Sequence, residues 1–336
     1  MGQAETLVEI WRGPFCESVH RGHAVVWQDG GDIVASWGDP DKVILPRSSC
    51  KMVQALPLVE SGAAKAFGLS EAQLALSCAS HNGAAVHSGM VTEWLTGLDL
   101  DPEAALLCGP QMPNDRDARD TLIKSDATPC QIHNNCSGKH SGFLTLNRHL
   151  GAGPDYIDPG HPVQRAVKAA FEDVTGETSP GYGIDGCSAP NFACTVTGLA
   201  RAMARFAAAT GAGDARDRAM HRLTRAMAAY PHLVAGEGRA CTALMRAMEG
   251  RASVKTGAEA VFVAIVPERR MGVALKIEDG GTRGAEAAVT QILIGLGVLD
   301  ADHPAARTYT HGPIRNRREM ETGFVKPAEA LASWRP

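Results

Sequence analysis

Apolar positions are spaced one way at the two ends of the chain and another way in its middle. Residues 5 to 38 read as three strands, Thr6–Trp11, Val19–Trp27 and Ile33–Gly38, all rich in Val, Ile and Trp. Asp29-Gly30-Gly31 supplies a hairpin turn between the last two. From about 62 to 245 the spacing becomes helical, over Ser70–Cys78, His87–Leu98, His161–Thr175, Asn191–Thr210 and Asp214–Ala229, with Gly, Pro and Asn clusters between. A strand pattern returns at 259–267 and at Arg270–Glu278, turning around Glu268; a helix at Arg283–Ile294 and a polar tail follow. The pattern predicts an α/β fold of the α+β type. An antiparallel sheet of about five strands is drawn from both chain ends and flanked by helices, with an inserted, mainly helical region. There is no internal repeat and no long linker. Residues 1–336 therefore read as a single unit, with a sheet region at about 1–47 and 250–336 and a helical region at about 48–249.

One stretch breaks the purely structural pattern. Residues 44 to 60 run Ile-Leu-Pro-Arg-Ser-Ser-Cys-Lys-Met-Val-Gln-Ala-Leu-Pro-Leu-Val-Glu. Pro46 suits the approach to a helix, Ser48 or Ser49 can cap it, and Pro57 predicts a kink or an early stop. The apolar run Met52–Val59 predicts deep burial. Ser48 and Lys51 form an S-x-x-K pair, which one helical turn brings to the same face. A serine hydroxyl is a poor nucleophile by itself. A lysine one turn away takes its proton only when that lysine is neutral, although free lysine has a pKa of about 10.4. Such a pair belongs in a working site rather than on a surface. Three letters at fixed spacing are nevertheless weak evidence alone, and a capped helix with a solvated lysine is the plain alternative.

Charge and composition narrow the function. The 336 residues are 44% hydrophobic and 21% charged, as in a soluble globular protein, and carry a net charge of −4. No basic block supports nucleic-acid or membrane-surface binding. No apolar run reaches the roughly 18 residues of a membrane span, and the first residues lack the pattern of a signal peptide. Nine scattered cysteines without a repeating frame point to reduced thiols in a cytoplasm.

Three further segments carry chemistry. Lys255-Thr256-Gly257 precedes the 259–267 strand, where a lysine reaches a substrate lying along a sheet edge. Together with an S-x-x-K helix and an end-to-end sheet, this layout resembles serine β-lactamases, penicillin-binding proteins and serine glutaminases. Their S-D-N element has no match here, and Ser80-His81-Asn82 is its candidate stand-in, with a helix C-terminus as the plain reading. His133-Asn134-Asn135-Cys136-Ser137-Gly138-Lys139-His140 is dense in polar groups at a helix start, with Cys136 and Lys139 one turn apart. Cys187, in Gly183-Ile184-Asp185-Gly186-Cys187, is a candidate to join them, since two thiolates and a nitrogen suit zinc. The paired C-x-x-C spacing of a strong zinc motif is absent. Asp185 is a candidate to grip a substrate ammonium. His140 is either a substrate contact or a hydrogen bonder at the helix start.

Taken in order, Pro46-Arg47-Ser48-Ser49-x-Lys51-Met52, Ser77-x-Ala79-Ser80-His81, Asn134 to His140, Gly183 to Cys187, Cys241-Thr242, Lys255 to Glu259 and Pro313-Ile314-Arg315-Asn316 resemble the motifs of the rhizobial-type, or class 3, L-asparaginases. The resemblance covers essentially the whole chain. It implies a fold like that of serine β-lactamases and serine glutaminases, and a homodimer. It implies two Ser-Lys pairs, Ser48 with Lys51 and Ser80 with Lys255, and a zinc ion held by Cys136, Lys139 and Cys187 that supports substrate binding more than chemistry. It places Arg47, His140, Asp185 and Cys241 near the substrate. The expected reaction is hydrolysis of L-asparagine to L-aspartate and ammonia through a Ser48 acyl-enzyme. The alternatives are a glutaminase, another serine acyl-hydrolase of the β-lactamase or DD-peptidase kind, and a non-catalytic amino-acid-binding protein.

Overall fold

The structure, a computed structural model, describes residues 2–336. The chain forms two compact units. One is built from Met1–Ser49, Cys194–Ala208 and Ala243–Pro336, the other from Cys50–Ala193 and Ala209–Thr242.

The first unit is organised on an antiparallel sheet. Its strand order is Pro313–Arg315, Glu321–Pro327, Glu5–Arg12, Phe15–Gln28, Met271–Ile277, Val261–Val266, Ser253–Gly257, and Ile33–Trp37 pairs with Phe15–Gln28 off this path. The two ends of the chain do pair, with Val8 opposite Pro327 and Ile10 opposite Val325. Eight strands replace the expected five. One addition is Ser253–Gly257, which carries the Lys-Thr-Gly motif; the other two lie in the tail that read as merely polar. Every residue of Val261–Val266 is buried, because helices cover the sheet on both faces. The Val196–Ala208 helix packs on Met271–Ile277, and the Thr282–Gly295 helix packs on the same strand and on Val261–Val266. Gly272 permits the first contact: a Cβ there would collide with the backbone of Ala200 and Ala204. The helix expected over Asn191–Thr210 starts later, because Pro190–Phe192 pairs with Tyr182–Ile184 and Cys194–Thr195 pairs with Val43–Ile44.

The second unit is mainly helical. At its centre lies the Ser137–Leu150 helix, buried from Ser137 through Asn147. It packs against Glu71–Ser77, Ala85–Thr96 and Pro162–Thr175. Gly138 lets the Glu71–Ser77 helix approach, since a Cβ at 138 would run into the Leu76 carbonyl. The boundaries follow their caps. Ser70 closes a capping box with Gln73, Asp214 accepts from Asp217 N–H, and His161 accepts from Val163 N–H before Pro162 at the first helical position.

Between Arg47 and Glu60 the chain is helical but broken. Arg47–Cys50 is a 3-10 turn, Lys51–Gln54 a short α-helix, and Leu56–Glu60 another, with Pro57 in its first turn. The expected serine cap does not form. The cap position belongs to Cys50, which makes no capping bond, and the Ser49 hydroxyl donates back to the Pro46 carbonyl at 2.7 Å. The expected deep burial holds from Met52 through Leu58.

Candidate active site

In the sheet unit, three features surround the serine. Arg47, immediately before Ser48, has φ of 53°, in the left-handed region that a side chain with a Cβ adopts only at a cost of about 1–2 kcal/mol. Ser48 itself is half-buried. The Lys255-Thr256-Gly257 strand lies against this turn at Gly257, where a Cβ would stand 2.7 Å from the Pro46 carbonyl oxygen and 3.0 Å from Ser49 N. Lys255, on that strand, is fully buried, and its Nζ donates to the Thr256 carbonyl at 2.7 Å. Arg47 also lines an open cavity of about 510 Å³, with His23, Lys42, Glu259, Lys276 and Glu278 among its walls. That cavity brings three cations and two carboxylates together over the apolar Val43, Ile44 and Leu45.

In the helical unit, side chains distant in sequence converge. Lys51 is fully buried; its Nζ donates to the Ala79 carbonyl, to Cys136 Sγ at 3.0 Å and, at 3.5 Å, to the Asn135 carbonyl. Ser80, the next residue after that first acceptor, is buried and held by its N–H donating to Val234 O at 2.9 Å. His81 follows, with its N–H on Asn135 O and its ring Nε2 3.0 Å from Ser137 Oγ. It stacks face to face on His87, 4.7 Å between centroids, and burial first, then His87, Lys51 and His133, hold it well below the ordinary histidine value. Asn82 is fixed by the Asp115 carboxylate at 3.3 Å and by Gly236, where any Cβ would strike its side chain.

Cys136 and Lys139 open the buried central helix, and Cys187 comes to them on the hairpin between Tyr182–Ile184 and Pro190–Phe192. Lys139 Nζ stands 3.0 Å from Cys187 Sγ. Among the described residues none of the nine cysteines is in a disulfide. The hydrogen bond between the two thiols, reinforced by burial, pushes Cys136 well above the ordinary thiol value. The same bond, against burial and with help from Lys139 and His140, pulls Cys187 well below it. Burial works against the Lys139 charge, but Cys187 and Cys136 outweigh it, so the ammonium is held above the usual lysine value. Cys187 is thus the more acidic of the two thiols, with the Lys139 amine 3.0 Å from its sulfur. Asp185, on the same hairpin, adds its negative field to Lys139. Burial first, with the Lys139 and Lys51 charges and against Cys187, brings His140 down to about 4, and its Nδ1 lies 2.8 Å from the Tyr156 hydroxyl.

This donor set fits a thiolate-loving divalent cation. One sulfur is shifted toward the thiolate, a second lies beside it, and the nitrogen of Lys139 is in contact. Binding requires Lys139 to release the proton it now shares with Cys187. Among the described residues no three His, Cys, Asp or Glu side chains converge as a metal site, so any such site here depends on the lysine. Cys241 is buried in the first turn of the Ala240–Ala247 helix. The pattern of residues gave no notice of Tyr156, a lone tyrosine in a turn-rich loop, nor of Ser137 under His81.

Comparison with known proteins then adds an independent line. The family model of L-asparaginase II matches residues 8–327. A search of curated protein sequences finds no significant match. Among solved structures, a beta-lactamase from Mycobacterium bovis aligns at 14% identity and a TM-score of 0.43, over 81% of this chain and 93% of that one. The Mglu protein in its tris and glutamate form aligns at 13% identity and a TM-score of 0.46, over 90% of this chain and 64% of that one. Among the described residues, no helix is long and apolar enough to cross a membrane.

Proposed function

The chain belongs to the L-asparaginase II family, and from that premise we propose that it hydrolyses the side-chain amide of L-asparagine to L-aspartate and ammonia. The observation that carries the reading is the complete burial of the Lys51 amine, three residues after Ser48, where the Arg47–Cys50 3-10 turn runs into the Lys51–Gln54 helix. A lysine is enclosed at such expense only where its amine works.

In this reading the asparagine α-carboxylate meets the guanidinium fork of Arg47 and the α-ammonium meets Asp185. His140 and Cys241 lie near the substrate. Lys51, in its neutral form, takes the Ser48 proton. Ser48 Oγ bonds to the amide carbon, and the oxyanion is stabilised by backbone N–H groups at the Ser48 turn. The C–N bond breaks, and ammonia departs with a proton delivered through Ser80 and Lys255. Water then cleaves the Ser48 ester, releasing aspartate and restoring the hydroxyl. Zn²⁺ is the proposed metal, held by Cys136, Lys139 and Cys187, and when bound it supplies a positive centre for fixing the polar groups of the substrate. The working form is proposed to be a cytoplasmic homodimer.

The test is chemical. Mass spectrometry of the intact protein, quenched during turnover of L-asparagine, is expected to show an aspartyl adduct on the Ser48 peptide. Parallel ammonia release from L-asparagine and L-glutamine fixes the preferred amide. Rapid hydrolysis with no acyl adduct on Ser48 under any quench would overturn the assignment of the nucleophile. No hydrolysis of either amide would overturn the substrate.

A further inference from the structure

The cavity beside the serine turn lies wholly within the sheet unit, and the reaction proposed above uses only one of its walls, Arg47. An open cavity of about 510 Å³ with apolar lining and a few converging charges is the ordinary form of a small-molecule site. Val43 and Leu45 supply exposed apolar surface there.

The sheet sets two of the polar walls. His23 and Lys276 stand opposite each other on neighbouring antiparallel strands, so their side chains share a face. The Asp39 N–H donates to His23 Nδ1 at 2.8 Å. Nδ1 is therefore bare, and the ring proton is on Nε2, 3.2 Å from Glu278 Oε1. A buried ring thus holds one oxygen of Glu278, while that side chain stays half exposed.

Lys276 sets a third wall. Its Nζ donates to the Glu259 carbonyl. That bond clamps a turn in which two successive residues, Glu259 and Ala260, both have φ of 56°. A left-handed pair with side chains is costly, and strain of this kind collects at ligand clamps. Among the described residues, Lys42, Lys276 and Glu259 form no ion pair with one another, and Glu278 is paired with His23. Two ammonium groups and two carboxylates therefore face one space and leave their charges for something else to meet.

We propose that this cavity is a second, non-catalytic binding site for an amino dicarboxylate, with Lys276 and Lys42 meeting its two carboxylates, Glu278 and Glu259 its ammonium, and Val43 and Leu45 its carbon chain. Aspartate is such a molecule. Its choice rests on the proposed function, whose product it is; the charge pattern stands without it.

Methyl NMR of the protein titrated with L-aspartate reads the cavity directly. The methyls of Val43, Ile44 and Leu45 are expected to shift, and silence at all three up to tens of millimolar overturns the proposal. The dissociation constant read there is expected to rise about 10-fold in Lys276→Met, which keeps the stem of the side chain, and by a similar factor in Lys42→Gln. Lys42 is exposed, so its variant keeps the test alive if Lys276→Met fails to fold. Unchanged affinity in either folded variant overturns the site. Succinate, which has no ammonium, is expected to bind about 10-fold more weakly than aspartate, and Glu278→Gln to narrow that gap. Succinate bound as tightly, or a gap that Glu278→Gln leaves intact, overturns the assignment. No readout here uses turnover. Asparagine hydrolysis with silent cavity methyls would sink this site and leave the proposed function standing; aspartate bound in the cavity of a protein that hydrolyses neither amide would do the reverse.

Discussion

Around Ser48 the protein relies on its backbone; around Cys187 it relies on side chains. The serine turn is shaped by a left-handed Arg47 and by Gly257, whose bare Cα admits the Pro46 carbonyl and Ser49 N. The thiol cluster is shaped by an ammonium beside one sulfur, a second sulfur, and an imidazole joined to a phenol. The first arrangement rests on backbone conformation and close backbone approach. The second is assembled from residues far apart in sequence, and its charges hold one another in place. The contrast predicts that substitutions near Ser48 alter rate or strain, whereas those in the helical unit alter binding, packing and response to pH.

The sharpest check is Ser48→Ala. Ammonia release is expected to fall by about 10⁴-fold or more, while circular dichroism and melting temperature stay put. Retained turnover would remove the serine turn from the comparison altogether. Next come the two close glycines. Gly138→Ala drives a Cβ into the Leu76 carbonyl and Gly257→Ala into Pro46, each expected to cost about 1–3 kcal/mol in urea denaturation. Gly257→Ala should also lower kcat, since it displaces the serine turn; Gly138→Ala should act chiefly on stability. Equal effects of both on kcat would blur the distinction.

The response to pH is a smaller effect and is expected to arise in the helical unit. His81 and His87 both lie below the ordinary histidine value because burial penalises their charged forms, and His140 falls to about 4. A depressed folded value means that the unfolded chain binds protons first as pH drops. Stability is then fully present above about pH 6.5 and declines below it, by up to about 1.4 kcal/mol per pH unit for each such histidine. Melting temperature measured from pH 8 to 5 should show this decline. A His87→Phe variant, which keeps a ring against His81, should flatten it; an identical slope would place the acid sensitivity elsewhere. The smallest effect is expected at Arg47. Arg47→Gly relieves the left-handed strain, so stability should rise by up to about 1 kcal/mol while asparagine turnover drops. A loss of stability would show that the turn is not strained.

The end-to-end sheet and the long helices were legible because Val- and Ile-rich runs and 3.6-residue spacing act locally. Pro313–Arg315 and Glu321–Pro327 were not. Their residues are mostly exposed or half-buried; Pro313–Arg315 pairs with Glu321–Pro327, and that strand in turn pairs with the far end of the chain. Likewise, nothing in Pro190-Asn191-Phe192 announces a strand until Tyr182–Ile184 lies beside it. Within the candidate site, the Cys136–Lys139 turn was legible as a spacing and Cys187 as a candidate third donor by its chemistry, whereas the three as one ligand set came only through a resemblance to a family. Tyr156 was invisible, because its role depends on an amide 49 residues away and an imidazole 16 residues away.

The register that sets Val8 against Pro327 has a consequence for synthesis. A ribosome makes Glu5–Arg12 long before its neighbour Glu321–Pro327, and the chain passes between the two units four times on the way. The sheet cannot be completed until that later strand has been made. Its early strands emerge with an open edge and must wait, shielded by chaperones or by one another, until the later strand arrives. A premature stop just before Glu321–Pro327 would therefore leave Glu5–Arg12 with only one of its two partners, and the nascent protein should aggregate rather than fold short.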